Sequence, residues 1–345
     1  MIWRKTFALL AFIFVGISLA AEDIGDQFIR LIVGERDGSF SLFYLADQGE
    51  MRYEPLLYRN ASTSFLSVNV DGRVFQLGKS REFSTRIDSV DGNPAVIYES
   101  PFLTVSKVFT TVRTTNSPNS NGIRVTINIE NKSDQDVSAG LRILLDTHLG
   151  EGRGGVPFNT DNLAITRETI ISGSSGESYW ITRGTDISLM GNIGNIFNDG
   201  SKAPDFLHFA NWKKLNDVPW RAPYREGSSF NSIPFSIGDS AVCYYYEPDV
   251  LPAGRSFRYS IFLTTEDTAW YQRTVEDTSG RGALTINIAA IEDAARLEAN
   301  ERNEDADLLI LYRLRDLIDQ FITGKILLNE QDLLGIERSI EKYKR

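Results

Sequence analysis

The chain has 345 residues with 36 Lys+Arg against 46 Asp+Glu, and setting aside Arg4 and Lys5 of its leader leaves a still more acidic body that repels a phosphate backbone. No basic stripe with interleaved aromatics offsets this, so nucleic-acid binding is excluded. The single cysteine, Cys243, excludes an intramolecular disulfide and thiolate metal sites, and two histidines, His148 and His208, are all the imidazole available.

The first twenty residues read as a secretory leader: Arg4 and Lys5, then an apolar run from Phe7 to Ala20, then small residues at Ser18, Ala20 and Ala21. Cleavage after Ala20 is expected, placing the mature protein in the periplasm or at the cell surface. The apolar run is shorter than the roughly 20 residues of a bilayer span, and no cysteine sits at the cut to accept a lipid. No later segment approaches 18 consecutive apolar residues, so no transmembrane span is expected in the mature chain.

From Phe28 the pattern is that of β-structure. Phe28 to Val33 and Phe40 to Leu45 read as strands ended by turn residues. Phe65 to Val70 and Arg73 to Leu77 flank Asp71-Gly72, a two-residue turn whose members tolerate positive φ, and so predict a hairpin. Strands follow at Ala95 to Tyr98 and Leu103 to Thr111. In Gly122 to Ile129 the residues Ile123, Val125, Ile127 and Ile129 share one face. The polar turn Glu130 to Asp136 and a strand from Val137 to Leu145 complete what reads as a long hairpin. Gly150 to Asp161 is Gly-rich and aperiodic, hence a loop. Strands resume at Ala164 to Thr169, Ser178 to Thr182, Ile187 to Met190, Ser240 to Tyr246 and, after a break at Glu247-Pro248-Asp249, Ser256 to Thr264. Cys243 reads as a buried small hydrophobe.

Composition changes near Thr278 to Gly282. A short strand signal at Leu284 to Ile288 precedes a charged stretch, and then apolar residues recur at helical spacing from Leu308 to Ile322 and, behind Asn329 as a cap, from Leu333 to Tyr343. The expected fold is mainly β, a large antiparallel two-sheet supersandwich with a C-terminal amphipathic helical pair. Its parts are a leader (1–20), a sandwich (21–278), a linker with a short strand (279–303) and a helical hairpin (304–345). The stripes of that hairpin, with Leu311, Ile318, Ile322, Leu333, Ile336 and Ile340, either fold back within the chain or dock a protein partner or a second copy.

Four groups of residues can carry chemistry. Asp146, His148 and Glu151, at a strand end and the mouth of the Gly-rich loop, supply an acid/base set for sugar chemistry, or are simply a polar strand end. His208, between Leu207 and Phe209, reads as a packing or rim residue. Asp146 and Asp161, with Glu151 and Asn159 near them, offer oxygen ligands that suit Ca²⁺, although no EF-hand spacing is present and no metal or other cofactor is expected. Trp212, Trp220, Arg221 and Tyr224 would form a stacking surface for a glycan, or fill core volume.

Taken together, Gly140 to Thr147, Val156-Pro157-Phe158, Pro204-Asp205-Phe206 with Trp212, Gly238 to Val242 and Leu251 to Gly254 resemble exported bacterial β-proteins whose sandwich is like that of galactose-mutarotase-type and carbohydrate-binding supersandwich domains, over roughly residues 123–264. The resemblance implies a two-sheet sandwich in an extracytoplasmic protein. Mutarotase-type enzymes use a His and a Glu, for which His148 with Glu151 is the nominee here, at a spacing that matches no motif. The leading expectation is an exported, non-enzymatic binding or structural protein whose C-terminal helices mediate assembly. The alternatives are a carbohydrate-binding or carbohydrate-active protein with its site around His148, and a component of an extracytoplasmic filament or envelope assembly.

Overall fold

A computed structural model describes residues 23–24, 28–114, 120–151, 157–196, 199–265, 296, 299, 305–322 and 330–343. In chain order the strands are β1 (Asp23–Ile24), β2 (Ile29–Val33), β3 (Phe40–Asp47), β4 (Arg52–Pro55), β5 (Phe65–Val70), β6 (Arg73–Gln76), β7 (Ser84–Val90), β8 (Asn93–Glu99), β9 (Leu103–Val112) and β10 (Gly122–Asn131). They continue as β11 (Val137–Asp146), β12 (Phe158–Thr160), β13 (Ala164–Ile165), β14 (Thr169–Ser172), β15 (Tyr179–Arg183), β16 (Ser188–Asn192), β17 (Phe206–Asn211), β18 (Ser240–Leu251) and β19 (Ser256–Thr264). The helices are α1 (Trp212–Asn216), α2 (Ala306–Ile322) and α3 (Glu330–Tyr343).

Two antiparallel sheets face each other: nine strands in the order β13-β12-β15-β16-β19-β10-β9-β8-β7, and six in the order β14-β17-β18-β11-β5-β6. The period-two pattern explains why they pack. Ile123, Val125, Ile127 and Ile129 from β10 meet Leu141, Ile143 and Leu145 from β11 in one continuous core. Burying such side chains is worth about 1.5–3 kcal/mol each, and a one-residue slip in register would turn a whole strand's set to the outside. A smaller sheet, β1-β2-β3-β4, adds Ile29, Leu31, Phe40 and Leu42 to that core. The buried Trp180 indole donates to Tyr244 Oη at 2.6 Å, and Tyr244 Oη donates to Asn192 O at 2.8 Å, joining β15 and β16 of one sheet to β18 of the other. Cys243 is fully buried, as its setting predicts.

The Asp71-Gly72 hairpin is present, with both residues at positive φ, 49° and 81°. A second one, with Asp91 at 50° and Gly92 at 75°, joins β7 to β8 and is not among the expected elements. The expected hairpin between residues 122 and 145 is corrected: β10 and β11 lie in different sheets, so the polar turn is a corner that crosses the sandwich. Their apolar faces meet across the core instead of lying side by side, and Asn131 pins the corner by donating to Gln135 O and Leu251 O. The expected break at Glu247-Pro248-Asp249 is also absent. β18 runs to Leu251 and absorbs the irregularity as a register shift opposite Ala139 and Leu141, a setting that tolerates proline. Part of the expected loop, Phe158–Thr160, is strand, and the segment read as one strand from Ala164 divides between the sheets as β13 and β14.

In the helical pair, Ile310, Leu314, Ile336 and Tyr343 are buried together, with Leu311, Ile318 and Ile340 packed against them. The stripes thus meet each other. The side chains of Ile322 and Leu333 lie outside the described residues, as do the leader, the 284–288 strand signal and the Asn329 cap. Among the described residues no helix is long and apolar enough to cross a membrane.

Candidate functional site

Three clusters of polar side chains lie along the face of the six-stranded sheet turned away from the core. Strand pairing places Arg142, Leu144 and Asp146 of β11 beside Tyr245, Cys243 and Ala241 of β18, and the last three beside Phe206, His208 and Ala210 of β17. The segment after β17 folds back over this face. Phe65, Leu144, Leu215, Ala222, Cys243 and Tyr245 form a second apolar layer, with Phe206, Trp212 and Val218 packed against it. Asn211 caps α1 by accepting from Lys214 N at 3.2 Å, and the Trp212 indole donates to Thr63 O at 2.9 Å.

At one end of the face, Phe65, Ser67, Val74, Gln76, Lys79, Ser80, Arg142 and residues 216–219 line a hollow of about 450 Å³. Arg142 is 1% exposed. Its guanidinium donates to Leu215 O at 2.5 Å, a carbonyl at the end of α1 that has no helical partner, and to Val218 O just beyond the helix at 3.3 Å. Arg142 Nε and the buried Gln76 Nε2 have no hydrogen-bond partner within the protein.

In the middle, His208 Nε2 lies 2.9 Å from Glu168 Oε1, and both side chains are 1% exposed. Lys214 Nζ donates to both Glu168 oxygens at 2.7 and 2.6 Å, and Arg225 N donates to Oε1 at 3.2 Å. Burial pushes the Glu168 carboxyl up, but the bonds from Lys214, His208 and Arg225 N outweigh it and hold the group below the usual carboxylate range. Burial lowers His208 against the pull of Glu168. Both oxygens of Glu168 are thereby committed, and the arrangement clamps the 212–228 segment to the sheet.

At the other end, one carboxylate oxygen from each of Asp146, Glu151 and Asp239 lies within 4.8 Å of the others. Burial pushes Asp146 up to about 7, with Asp239 adding and a bond from Thr63 opposing. Burial likewise pushes Glu151 up to about 8, opposed by the Ser240 N–H and reinforced by Asp146 and Asp239. Asp239 is raised by burial against a bond from Ser236.

The expected set therefore separates. Asp146 and Glu151 come together, but His148 does not join them. Its ring lies 6.2 Å from that of Tyr58, and it lines a different hollow, of about 510 Å³, with Tyr44, Arg52, Glu54 and Asp186. Asp161 also stands apart from Asp146: it accepts from Ser178 N at 3.0 Å and Tyr179 N at 3.1 Å, as a loop residue holding the start of β15. The aromatic group is divided. Trp212 seals the second apolar layer. Trp220 lies 6.1 Å edge-on to Tyr245, while Arg221 pairs with Glu247 at 2.9 Å. Tyr224 is 47% exposed and meets the His208 ring edge-on at 6.1 Å. Asp239, Gln76, Lys79 and Glu168 escape a reading of local spacing, because their partners are distant in sequence. The Gly238-Asp239-Ser240 start of a strand is the one local signal.

No protein-family model and no curated protein sequence matches the chain. Its structural neighbours include galactose mutarotase-like and aldose epimerase proteins. A galactose mutarotase-like protein from Lactobacillus casei is 11% identical, with a TM-score of 0.41 over 72% of this chain and 100% of its own. A galactose mutarotase related enzyme from Lactobacillus acidophilus is 10% identical, with a TM-score of 0.39 over 72% and 98%. An aldose epimerase homologue from C. elegans is 9% identical, with a TM-score of 0.42 over 72% and 99%. The resemblance is weak and concerns the fold, and no residue's role passes through it.

Proposed function

We propose that this chain is an exported, non-catalytic carbohydrate-binding sandwich, with its ligand seated in the hollow between Gln76, Lys79, Arg142 and α1. The observation that carries the reading is a buried side-chain amide nitrogen, Gln76 Nε2, left unpaired in the wall of a hollow rich in polar groups. Buried polar groups are nearly always satisfied, and a polyhydroxylated ligand satisfies donors and acceptors together. Ser67, Ser80, Asn216 and Asp217 supply further partners, and the Phe65 ring, with Lys79 Nζ 5.4 Å from its centroid, supplies apolar surface. Export rests on the leader at residues 1–20.

Binding is favoured over catalysis because the carboxylate that touches an imidazole, Glu168, is already saturated by Lys214 and the Arg225 backbone. The test is a glycan array followed by calorimetry on the best ligand, with an anomerisation assay alongside. Gln76→Ala and Lys79→Ala are each expected to weaken binding about tenfold, the cost of roughly one hydrogen bond, with no acceleration of anomerisation in any form. Unchanged affinity in both variants removes the hollow from the reading. Anomerisation that is accelerated by the protein and lost in His148→Ala replaces it with an enzyme.

A further inference from the structure

We propose that Asp146, Glu151 and Asp239 form a calcium site at the end of the six-stranded sheet. Three features carry this. The first is spacing: an oxygen of each carboxylate lies within 4.8 Å of the others. Oxygen ligands of one Ca²⁺ at 2.3–2.6 Å lie up to about 5 Å apart, so three oxygens this close can share one such ion. The second is an orphaned lone pair. Asp146 is 3% exposed, yet its Oδ1 has no hydrogen-bond partner. A carboxylate oxygen withdrawn from water with nothing to bond is costly unless a cation or a proton meets it.

The third feature is rigidity. Asp146 ends β11 and Asp239 immediately precedes β18, and the two strands pair through Asp146 and Ala241. Glu151 is tied to the same place by Ser240 N at 3.0 Å, and Thr147 Oγ1 donates to Ser240 O at 2.8 Å. Asp146 N donates to Ser64 Oγ at 3.0 Å. The ligands thus come from two adjacent strand ends and one loop, all fixed by bonds that leave carboxylate oxygens turned toward one another. The charges acting on Asp146 and Glu151 are those of acidic neighbours, so a divalent cation is the natural counter-charge. The same cation would brace the 230–239 segment, because the Ser236 hydroxyl donates to Asp239 and accepts from Asn211 Nδ2 at 2.8 Å.

The site is independent of the glycan reading and is probed with the metal alone. The purified full chain is stripped with EDTA and titrated with CaCl₂ near neutral pH by calorimetry, with MgCl₂ as the comparison, and thermal unfolding is followed in both. One Ca²⁺ per chain is expected, with Kd of about 10⁻⁴–10⁻³ M, the range of extracytoplasmic modules. Tm should rise by about 5 °C or more at about 100-fold excess over Kd. Asp239→Asn and Glu151→Gln should each lose at least about tenfold in affinity, while Asp134→Asn, on the exposed corner turn, binds as the parent does. No calcium isotherm up to about 10 mM, an equal response to MgCl₂, or parental affinity in both Asp239→Asn and Glu151→Gln overturns the site. Carboxyls that hold protons in place of a metal would give the first of these results.

Discussion

Lys107 is the residue whose position departs furthest from its chemistry. It alternates with Val105 and Phe109 on the inner face of β9 and is fully buried, where the strand pattern calls for an apolar side chain. Its ammonium donates to Gly38 O and to Tyr98 Oη at 3.3 Å, and the rings of Phe40, Phe109 and Tyr98 surround it at 5.2, 5.3 and 5.7 Å. Burial lowers its pKa from 10.5 to about 7 against a pull from Asp37. The direction of the linkage follows. Between about pH 7 and 10.5 the unfolded chain holds a proton that the folded chain has released, so stability rises with pH across that window and the penalty is felt in full below it. Lys107→Met, which keeps the length and removes the charge, should abolish that rise and leave the fold intact near neutral pH. Urea unfolding at several pH values between 7 and 10 checks this, and an equal slope in the variant would mean that other groups produce it.

At the scale of elements, turn chemistry was the most legible part of the sequence. Asp71-Gly72 specifies its hairpin through positive φ alone, and a Cβ placed on Gly72 meets nothing within 4 Å. Gly78, two residues past the end of the turn's return strand β6, is different. It also has positive φ, 83°, but a Cβ there would lie 2.6 Å from the Asp37 Cα and closer still to the Asp37 carbonyl oxygen. Gly72→Ala should therefore cost about 1–2 kcal/mol from backbone strain alone, and Gly78→Ala a further 1–3 kcal/mol from overpacking against a backbone that cannot yield. Denaturant titration of the two variants reads the difference; equal costs would show that the Asp37 loop moves aside freely. That contrast explains what else could be read. Strands and their faces follow from period-two alternation in β9 and β10, because that signal is local. Sheet membership does not, since the β10–β11 corner and a hairpin share the same polar turn. The acid cluster was half legible for the same reason: Asp146 and Glu151 are neighbours in sequence, whereas Asp239 arrives through the pairing of β11 with β18.

For the whole molecule, the question is how far the C-terminal helices and the sandwich depend on each other. The main core draws its buried side chains from residues 29 to 263, and none of them comes from α2 or α3. The helices have a core of their own in Ile310, Leu314, Ile336 and Tyr343, to which Arg296 adds a bond from its guanidinium to Tyr343 Oη at 2.9 Å. Helix stability in proteins comes mostly from packed tertiary faces, and the described part of this pair's core is these four buried side chains with Leu309, Leu311, Ile318 and Ile340 against them. Leu308 and Tyr312 remain 51% and 57% exposed, which leaves apolar surface on α2 after the pair has formed. Removing everything after residue 278 should therefore leave the sandwich intact, with Tm within about 2 °C of the full chain, since none of the described main-core residues lies in the deleted part. Calorimetry of the two forms makes the comparison, and sedimentation shows whether mass is lost with the helices. A fall in Tm of more than about 5 °C would mean that the helices cover part of the sandwich and that their stripe is an internal contact; an unchanged Tm with a lower assembly mass would assign the exposed face of α2 to self-association.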